Sequence, residues 1–360
     1  MTAHPALFKP LTLGEITLPN RIAMAPLTRN RAAAGNVPGP LTALYYTQRA
    51  SVGLIISEAT QISPMGQGYI ATPGIHSAEQ IAGWRTVTQS VHDAGGHMFL
   101  QLWHVGRISH TSLLPDGQAP VAPSAIRAAS KTFTTNGFVD VSMPRALSIA
   151  EIEQTVADYR QAALNAIAAG FDGVEVHSAN GYLIDQFLRD SSNQRSDAYG
   201  GSIENRTRFL REVVAAVSEA IGAQRVGVRF SPVSGFNDIS DSAPQALFEA
   251  AVAQMQAIGI AYVHVIEGQT GGERDTAFDY AALRSHFKGV WMVNNGYDAN
   301  MAETAIASGR ADMVAIGRPL IANPDWLARI AHNAALNPLD QATMYGGDAR
   351  GYTDYPVLGQ

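Results

Sequence analysis

The chain has 360 residues, with 25 basic side chains, 31 acidic side chains and no cysteine. Without cysteine it can form no disulfide, zinc–thiolate site or cysteine nucleophile. A net charge of −6 without a basic cluster argues against nucleic acid and anionic membranes as partners. No apolar run approaches the roughly 20 residues that span a bilayer, and Met1–Pro10 lacks the pattern of a signal peptide. We therefore expect a soluble, cytoplasmic protein.

Short apolar runs alternate with segments of helical period along the whole chain. The predicted strands are Arg21–Pro26, Leu54–Ala59, Met98–Trp103, Gly173–His177, Val226–Phe230, Tyr262–Ile266, Val290–Asn294 and Met313–Gly317. The predicted helices lie near 40–50, 78–94, 148–169, from Ser202 onward, and near 244–258, 280–286, 299–307 and 325–335. Eight such units favour an α/β fold with a single (β/α)8 TIM barrel over a doubly wound open sheet. We expect one domain over residues 1–360.

Two segments interrupt this alternation. Leu11–Pro19 predicts a hairpin before the first strand, which we expect to plug the N-terminal end of the barrel. Lys131–Met143 has an Asn-Gly pair between alternating residues, which predicts a second hairpin in the long third βα loop. Barrel active sites lie on the face where the βα loops emerge, so this second hairpin is a candidate lid. A surface hairpin without a role fits the same pattern.

The end of the fourth strand carries the first candidates for catalysis. His177 ends that strand, and Asn180 and Tyr182 follow it. If His177 and Asn180 lie on a first helical turn, their side chains share one face and can both donate to an oxygen that gains negative charge. Tyr182 then supplies a phenolic proton. A histidine with purely structural hydrogen bonds is the alternative, and the two polar neighbours favour the functional interpretation.

The ends of the seventh and eighth strands indicate a phosphate site. The loops that follow these strands commonly hold phosphate in TIM barrels, where glycines let backbone N–H groups approach and arginine binds in a bidentate manner. The residues at these positions are Asn294, Asn295, Gly296, Gly317 and Arg318. They predict a phosphorylated ligand.

Arg229 lies within the fifth strand and needs an anionic partner if it is buried. The partner is either a barrel carboxylate, such as Glu58 or Glu175, or an anionic ligand, and the residue pattern leaves these open. The three lysines of the chain lie away from the C-terminal strand ends, which excludes Schiff-base chemistry.

Seven separate motifs occur together along the chain. They are Met24–Arg29, Ile56–Thr60, Gln101–Arg107, Gly170–His177, Tyr199–Arg206, Gly317-Arg318 and Gly351–Tyr355. With these motifs the chain resembles the old yellow enzyme family of flavin-dependent ene-reductases. It is most similar to the bacterial branch that includes N-ethylmaleimide reductase and pentaerythritol tetranitrate reductase. The resemblance extends from Leu7 to Pro356.

The resemblance implies one non-covalent FMN over the barrel mouth, with NADPH or NADH as the reductant. Thr28 would hydrogen-bond the ring carbonyl beside N5, Arg229 would stabilise the anionic reduced ring near N1, and Tyr345 would lie near the outer edge. The full set of implied flavin contacts is Pro26, Leu27, Thr28, Ala59, Gln101, His177, Arg229, Asn294, Asn295, Gly296, Gly317, Arg318 and Tyr345.

The resemblance also implies hydride transfer to the β-carbon of α,β-unsaturated carbonyl or nitro compounds, with nitro compounds and nitrate esters as further substrates. His177 and Asn180 would bind the substrate oxygen, Tyr182 would protonate the α-carbon, and Tyr69 and Trp103 would shape the substrate pocket. Histidine also occurs in the family at the position of Asn180. Asparagine does not titrate, so we expect no pH dependence of binding from this group. The expected assembly is a monomer or weak dimer.

Two other functions remain open from the sequence. The first is a metal-dependent TIM-barrel hydrolase, although the first strand lacks the paired histidines that such enzymes carry. Its candidate ligands would be His104, His177, His264, Glu58 and Glu175. The second is a flavin-binding protein without turnover, although the proton donor and oxyanion donors of an enzyme are present. We expect no metal site.

Overall fold

The structure is a computed structural model that describes residues 3–359, so residues 1–2 and 360 of the expected domain lie outside the described residues. Parallel strands form its centre, each paired with the next, and β8 returns to pair with β1. These strands are β1 (Ile22–Met24), β2 (Leu54–Ile56), β3 (Met98–Trp103), β4 (Gly173–Ser178), β5 (Val226–Phe230), β6 (Tyr262–Ile266), β7 (Val290–Asn294) and β8 (Met313–Ile316). The closed eight-stranded barrel confirms the predicted TIM-barrel fold and rules out the open sheet.

Helices surround the barrel and follow the predicted order. Their bounds are α1 (Pro40–Thr47), α2 (Ala78–Asp93), α3 (Ile149–Ala168), α4 (Leu183–Leu188), α5 (Ile203–Arg206), α6 (Arg208–Ile221), α7 (Pro244–Ile258), α8 (Tyr280–Ser285), α9 (Ala299–Ala307), α10 (Arg318–Ala322) and α11 (Trp326–Ala331). Ser148 and Glu151 form a capping box at the start of α3. The last helix is shorter than predicted, because Asn333, at φ 51°, takes a left-handed conformation that cannot continue it.

β2 is also shorter than predicted, and the reason matters for the site. Beyond Ile56 the backbone N–H of Gln101 donates to the Ser57 hydroxyl at 3.0 Å instead of to a main-chain carbonyl. The side chain thus replaces a bond of the strand ladder, and the chain leaves the barrel wall at Glu58 and Ala59. Thr60–Gln61 then pairs with β3 again. This break brings Ala59 to the cavity at the barrel mouth.

Both predicted hairpins are present. Leu11–Leu13 pairs with Ile16–Leu18, and Leu13 and Leu18 pack with interior barrel residues such as Phe99. Lys131–Thr134 pairs with Gly137–Asp140 in the loop between β3 and α3. The roles of these hairpins as plug and lid stay predictions. Within residues 3–359, no helix combines the length and apolar character needed to cross a membrane.

Candidate active site

A cavity of about 500 Å³ opens at the C-terminal ends of the barrel strands. Its walls come from the strand ends, the hairpin Lys131–Asp140 and the segment near residue 345. The lining residues predicted from the sequence are Pro26, Leu27, Thr28, Ala59, Tyr69, Gln101, Trp103, His177, Asn180, Tyr182, Arg229 and Tyr345. Eight predicted flavin contacts and all five predicted substrate contacts therefore face one space.

An aromatic wall lines one side of this cavity. Tyr69 stacks on Trp103 with ring centroids 5.8 Å apart, and Tyr182 meets Trp103 edge-on at 5.0 Å. The Tyr182 hydroxyl lies 3.2 Å from that of Tyr69. Burial raises the pKa of Tyr182 well above its usual value, and the neighbouring Tyr69 raises it further. The phenol is therefore held protonated, as a proton donor requires.

His177 and Asn180 both face the cavity, but they do not lie on a helical turn. β4 continues to Ser178, and α4 begins only at Leu183. Asn180 lies between them at φ 60°, in the left-handed conformation. The expected juxtaposition is therefore produced by a tight turn after β4, not by helical spacing. The His177 ring lies 5.1 Å from the Tyr182 ring.

Every polar group of the Asn180 backbone is fixed. Its N–H donates to the Ser231 hydroxyl at 2.8 Å, and its carbonyl accepts from Asn237 Nδ2 at 2.9 Å. Its side-chain Oδ1 accepts from the Thr270 hydroxyl at 2.7 Å. Ser231 and Asn237 follow β5 and Thr270 follows β6, so loops from two strands hold the residue that follows a third.

Burial determines the protonation state of His177. The residue is 4% exposed, and its Nδ1 has no hydrogen-bond partner among the described residues. Burial, together with the nearby Arg229 cation, lowers the pKa of His177 well below its usual value. The ring is therefore neutral at physiological pH, and it can donate from one nitrogen to a ligand oxygen.

A buried polar network lies below the cavity, inside the barrel. Glu175 accepts from Gln101 Nε2 at 2.8 Å and from the Tyr262 hydroxyl at 3.0 Å, and it lies 2.8 Å from His264 Nδ1. Burial alone would raise the pKa of Glu175, but His264, Arg229 and the hydrogen bond from Gln101 hold it below its usual value. The carboxylate also fixes the Gln101 amide, so that the Gln101 Oε1 remains free for a ligand.

The sequence left the partner of Arg229 open, and the structure gives it a neutral hydrogen-bond partner, Asn294. Its Nη2 donates to Asn294 Oδ1 at 2.8 Å, and Asn294 is anchored in turn to the Ala315 carbonyl at 2.7 Å. The charge of Glu175 acts on it from the barrel interior, whereas burial lowers its pKa. Arg229 Nε is buried and has no hydrogen-bond partner among residues 3–359. Arg229 lines the cavity, so an unpartnered donor is held within the cavity wall.

The predicted phosphate residues do not line the cavity itself. The Asn295 side chain is committed to the loop after β6: it donates to the Glu267 carbonyl at 2.7 Å and accepts from Gly271 N–H at 3.1 Å. Any phosphate contact from Asn295 would have to come from its backbone. Gly296 has φ 66°, a conformation that glycine adopts without strain. Arg318 is exposed, at the start of α10.

The segment that carries Tyr345 is attached to the barrel through Arg29. The guanidinium of Arg29 donates to the carbonyls of Met344 at 2.9 Å and Gly351 at 2.7 Å. It also lies 5.0 Å from the Tyr45 ring and 5.1 Å from the Tyr352 ring. These cation–π contacts and hydrogen bonds hold the segment against the barrel mouth.

The residues at the cavity fit a flavin. A flat heteroaromatic ring needs apolar walls, which Pro26, Leu27 and Ala59 supply, and polar partners at its edges. The Thr28 hydroxyl, the free Gln101 oxygen and the unpartnered Arg229 donor supply those partners. The donor at Arg229 is cationic, as the anionic reduced ring requires.

Sequence reasoning missed several lining residues. They are Asn30, Ser130, Lys131, Phe133, Phe138, Phe236, Asn237, Thr270, Ile321 and Met344. Phe133 and Phe138 belong to the predicted lid hairpin, so the hairpin itself was the signal that could have found them. Asn237 and Thr270 lie in irregular loops, where neither periodicity nor strand position marks a residue.

The ligand set of the alternative hydrolase is not assembled. Within the described chain, no group of three or more His, Asp and Glu side chains is placed to hold a metal ion. Of the candidates, only His264 and Glu175 contact each other. His104 instead accepts from Gly106 N–H at 3.1 Å, and burial lowers its pKa to about 3.

Comparison with known proteins assigns the chain to a family. Residues 6–337 match the NADH:flavin oxidoreductase / NADH oxidase family. The chain belongs to this family, the old yellow enzymes. Among its relatives, 12-oxophytodienoate reductase 1 of Oryza sativa subsp. japonica is 46% identical, with 98% of this chain and 93% of that protein covered. Chanoclavine-I aldehyde reductase of Penicillium roqueforti is also 46% identical, with coverage of 97% and 95%.

Solved structures of old yellow enzymes agree with this assignment. Morphinone reductase superposes with a TM-score of 0.95 at 48% identity, covering 99% of this chain and 97% of that one. The old yellow enzyme homologue from Zymomonas mobilis gives 0.94 at 43% identity, covering 98% and 99%. The chain is therefore a TIM-barrel flavin oxidoreductase that uses FMN and a nicotinamide coenzyme. The resemblance to the old yellow enzyme family noted in the sequence is confirmed.

Proposed function

We propose that this old yellow enzyme is an FMN-dependent ene-reductase that reduces α,β-unsaturated carbonyl and nitro compounds. The observation that carries the proposal is the convergence of His177, Asn180 and Tyr182 on the cavity lined by Thr28 and Arg229. Two neutral donors and a protonated phenol suit a substrate that gains charge on an oxygen and a proton on a carbon. The names of relatives, which include reductases of 12-oxophytodienoate and of morphinone, support this substrate class.

A bound FMN would supply the redox chemistry of the site, which is transfer of a hydride from NADPH or NADH to the β-carbon of the alkene. His177 and Asn180 bind the carbonyl or nitro oxygen and stabilise the charge that develops on it. Tyr182 donates its hydroxyl proton to the α-carbon, and the Tyr69 hydroxyl orients that phenol. Trp103 and Tyr69 hold the substrate between apolar surfaces and exclude water from the reacting carbons.

The cofactor contacts proposed for this chain fall into two groups. Pro26, Leu27, Thr28, Ala59 and Gln101 would contact the ring, and Arg229, backed by Asn294, would lie near its N1. The phosphate is held by the backbone of the loops after β7 and β8, together with the exposed Arg318. This assignment uses Asn295, Gly296 and Gly317 through their N–H groups and not through side chains.

The test is an anaerobic titration of the purified, FMN-loaded protein. Addition of NADPH, and in a parallel sample NADH, should bleach the flavin absorbance, and 2-cyclohexenone should restore it in stoichiometric amount. Cyclohexanone, which keeps the carbonyl but lacks the alkene, is the control and should restore nothing. A protein that cannot be loaded with FMN contradicts the proposal. So does a reduced protein that 2-cyclohexenone fails to reoxidise, which would be a flavin reductase without this alkene activity.

A further inference from the structure

The Asn180 amide can present either of two faces to the cavity. Its carbonyl oxygen accepts a hydrogen bond, whereas its NH2 group donates. Only the NH2 face can bind a substrate oxygen. The bonds from Ser231 and Asn237 fix the Asn180 backbone, but they do not determine which end of the amide points inward.

We propose that Thr270 is a positioning residue, which fixes the Asn180 amide with its NH2 group toward the substrate oxygen. The Thr270 hydroxyl lies 2.7 Å from Asn180 Oδ1, and both residues line the cavity. The inference deepens the proposed function and rests on it, because it concerns how that site distinguishes a hydrogen-bond acceptor from a donor.

The supply of protons around Ser234 determines the direction of the bond. The Ser234 hydroxyl oxygen accepts from two backbone groups, the N–H of Thr270 at 3.2 Å and the N–H of Phe236 at 3.3 Å. A hydroxyl has two acceptor sites and one proton, so the remaining Ser234 proton must be donated. The Thr270 hydroxyl lies 2.8 Å away and receives it.

The Thr270 hydroxyl, which accepts from Ser234, then directs its own proton to Asn180. Only the carbonyl end of the amide can accept this proton, so Oδ1 must face Thr270 and Nδ2 must face away from it. The chain of donors from Ser234 through Thr270 thus makes Asn180 a donor toward the cavity. If the Thr270 hydroxyl is removed, the amide can turn over and present its oxygen to the substrate oxygen.

Hydrogen bonds fix the loop that carries Thr270, so the Thr270 hydroxyl has a defined position relative to Asn180. Gln269 Oε1 accepts from Gly235 N–H at 3.0 Å, and Gln269 Nε2 donates to the Val233 carbonyl at 2.9 Å. On the other side of Thr270, Gly271 N–H donates to Asn295 Oδ1 at 3.1 Å. Bonds on both sides of Thr270 therefore tie it to the loops after β5 and β7.

The first experiment compares Thr270→Val with Thr270→Ser in the FMN-loaded enzyme. Valine keeps the shape of threonine without its hydroxyl, and it should raise the KM for 2-cyclohexenone about three- to tenfold, with a smaller change in kcat. Serine keeps the hydroxyl and should restore KM to within about twofold. The matched control is Thr304→Val, at an exposed residue of α9 that donates only to the Asn300 carbonyl, and it should leave both constants unchanged.

The second experiment is a double-mutant cycle with Asn180→Ala. If Thr270 acts through Asn180, Thr270→Val should add nothing to the loss caused by Asn180→Ala. The inference is overturned if Thr270→Val leaves KM unchanged while Asn180→Ala raises it, or if the two losses multiply in the double variant. In both cases the proposed function stands. If Asn180→Ala itself has no effect, the substrate role proposed for Asn180 fails, and this inference fails with it.

Discussion

Replacement of Tyr182 by phenylalanine separates the two halves of the proposed reaction. The phenyl ring keeps the edge-on contacts with Trp103 at 5.0 Å and with His177 at 5.1 Å, so only the hydroxyl is lost. The loss of its 3.2 Å bond to Tyr69 should cost about 1 kcal/mol of stability. The variant should therefore fold and bind FMN normally, and any kinetic change reports on the proton.

The size of the expected effect follows from the surroundings of that proton. A positioned general acid contributes about 10²- to 10⁴-fold to a proton-transfer step. Tyr69 has a second phenol 3.2 Å away, and burial also raises its pKa, so it remains protonated and can replace part of the lost function. We therefore expect the lower end of the range, a loss of about 10²-fold in reoxidation by 2-cyclohexenone. Reduction by NADPH needs no proton from Tyr182 and should change less than about twofold.

Anaerobic stopped-flow absorbance of the flavin measures both steps separately. Oxidised enzyme is mixed with NADPH in one experiment, and reduced enzyme is mixed with 2-cyclohexenone in the other. Tyr69→Phe serves as the matched variant, because it removes the neighbouring hydroxyl and should slow reoxidation only a few-fold. Equal losses in both steps of Tyr182→Phe, or an unchanged reoxidation rate, would refute the role of Tyr182 as proton donor.

Two further predictions concern pH. Burial and Arg229 lower the pKa of His177 well below its usual value, and Asn180 does not titrate. The dissociation constant of 2-cyclohexenone from the oxidised enzyme should therefore stay constant between about pH 6 and pH 9. A step in this constant near pH 6.5, measured by absorbance titration, would contradict the prediction. Burial raises the pKa of Glu58 to about 7. Between about pH 4.5 and pH 7, the native protein therefore holds a proton that the unfolded chain releases. The contribution of Glu58 to the free energy of unfolding thus falls as pH rises. The free energy of unfolding of Glu58→Gln, relative to that of wild type, should therefore rise by roughly 3 kcal/mol from pH 4.5 to pH 8, at 1.36 kcal/mol per pKa unit. Urea unfolding at both pH values measures it, and a difference between the two proteins that does not change with pH would refute the shift in pKa.

The barrel could be predicted almost completely because its signals are local. β3, β5, β6 and β7 begin and end at the predicted residues, since each is a short, mainly apolar run whose central residues are buried on both faces. The predicted second strand continued to Ala59, but the structure ends it at Ile56. The difference arises from a contact between Ser57 and Gln101, which are 44 positions apart, and no local pattern contains such a contact.

Twelve of the residues that line the cavity were predicted from the sequence, but the way in which they are brought together was not. His177, Asn180 and Tyr182 were chosen from their position after β4, and they do face one cavity. The helical spacing used to bring the first two together is absent, because Asn180 takes a left-handed conformation. Hydrogen bonds with Ser231, Asn237 and Thr270 hold Asn180, and these residues lie in loops more than 50 positions away along the chain. Such loops are placed by the closed barrel, so their contacts could not be predicted before the fold was known.

In the proposed reaction, the two negative charges that develop are met by different kinds of group. Charge on the substrate oxygen meets the neutral donors His177 and Asn180, whereas charge on the reduced flavin meets the Arg229 cation. The two arrangements depend on each other, because the Arg229 charge helps to keep His177 neutral. A protonated His177 beside Arg229 would place two buried cations at one cavity, with Glu175 already bonded to Gln101 and Tyr262. The Arg229 cation thus favours neutral donors at the same cavity, and an asparagine whose direction is set by a hydroxyl meets that requirement.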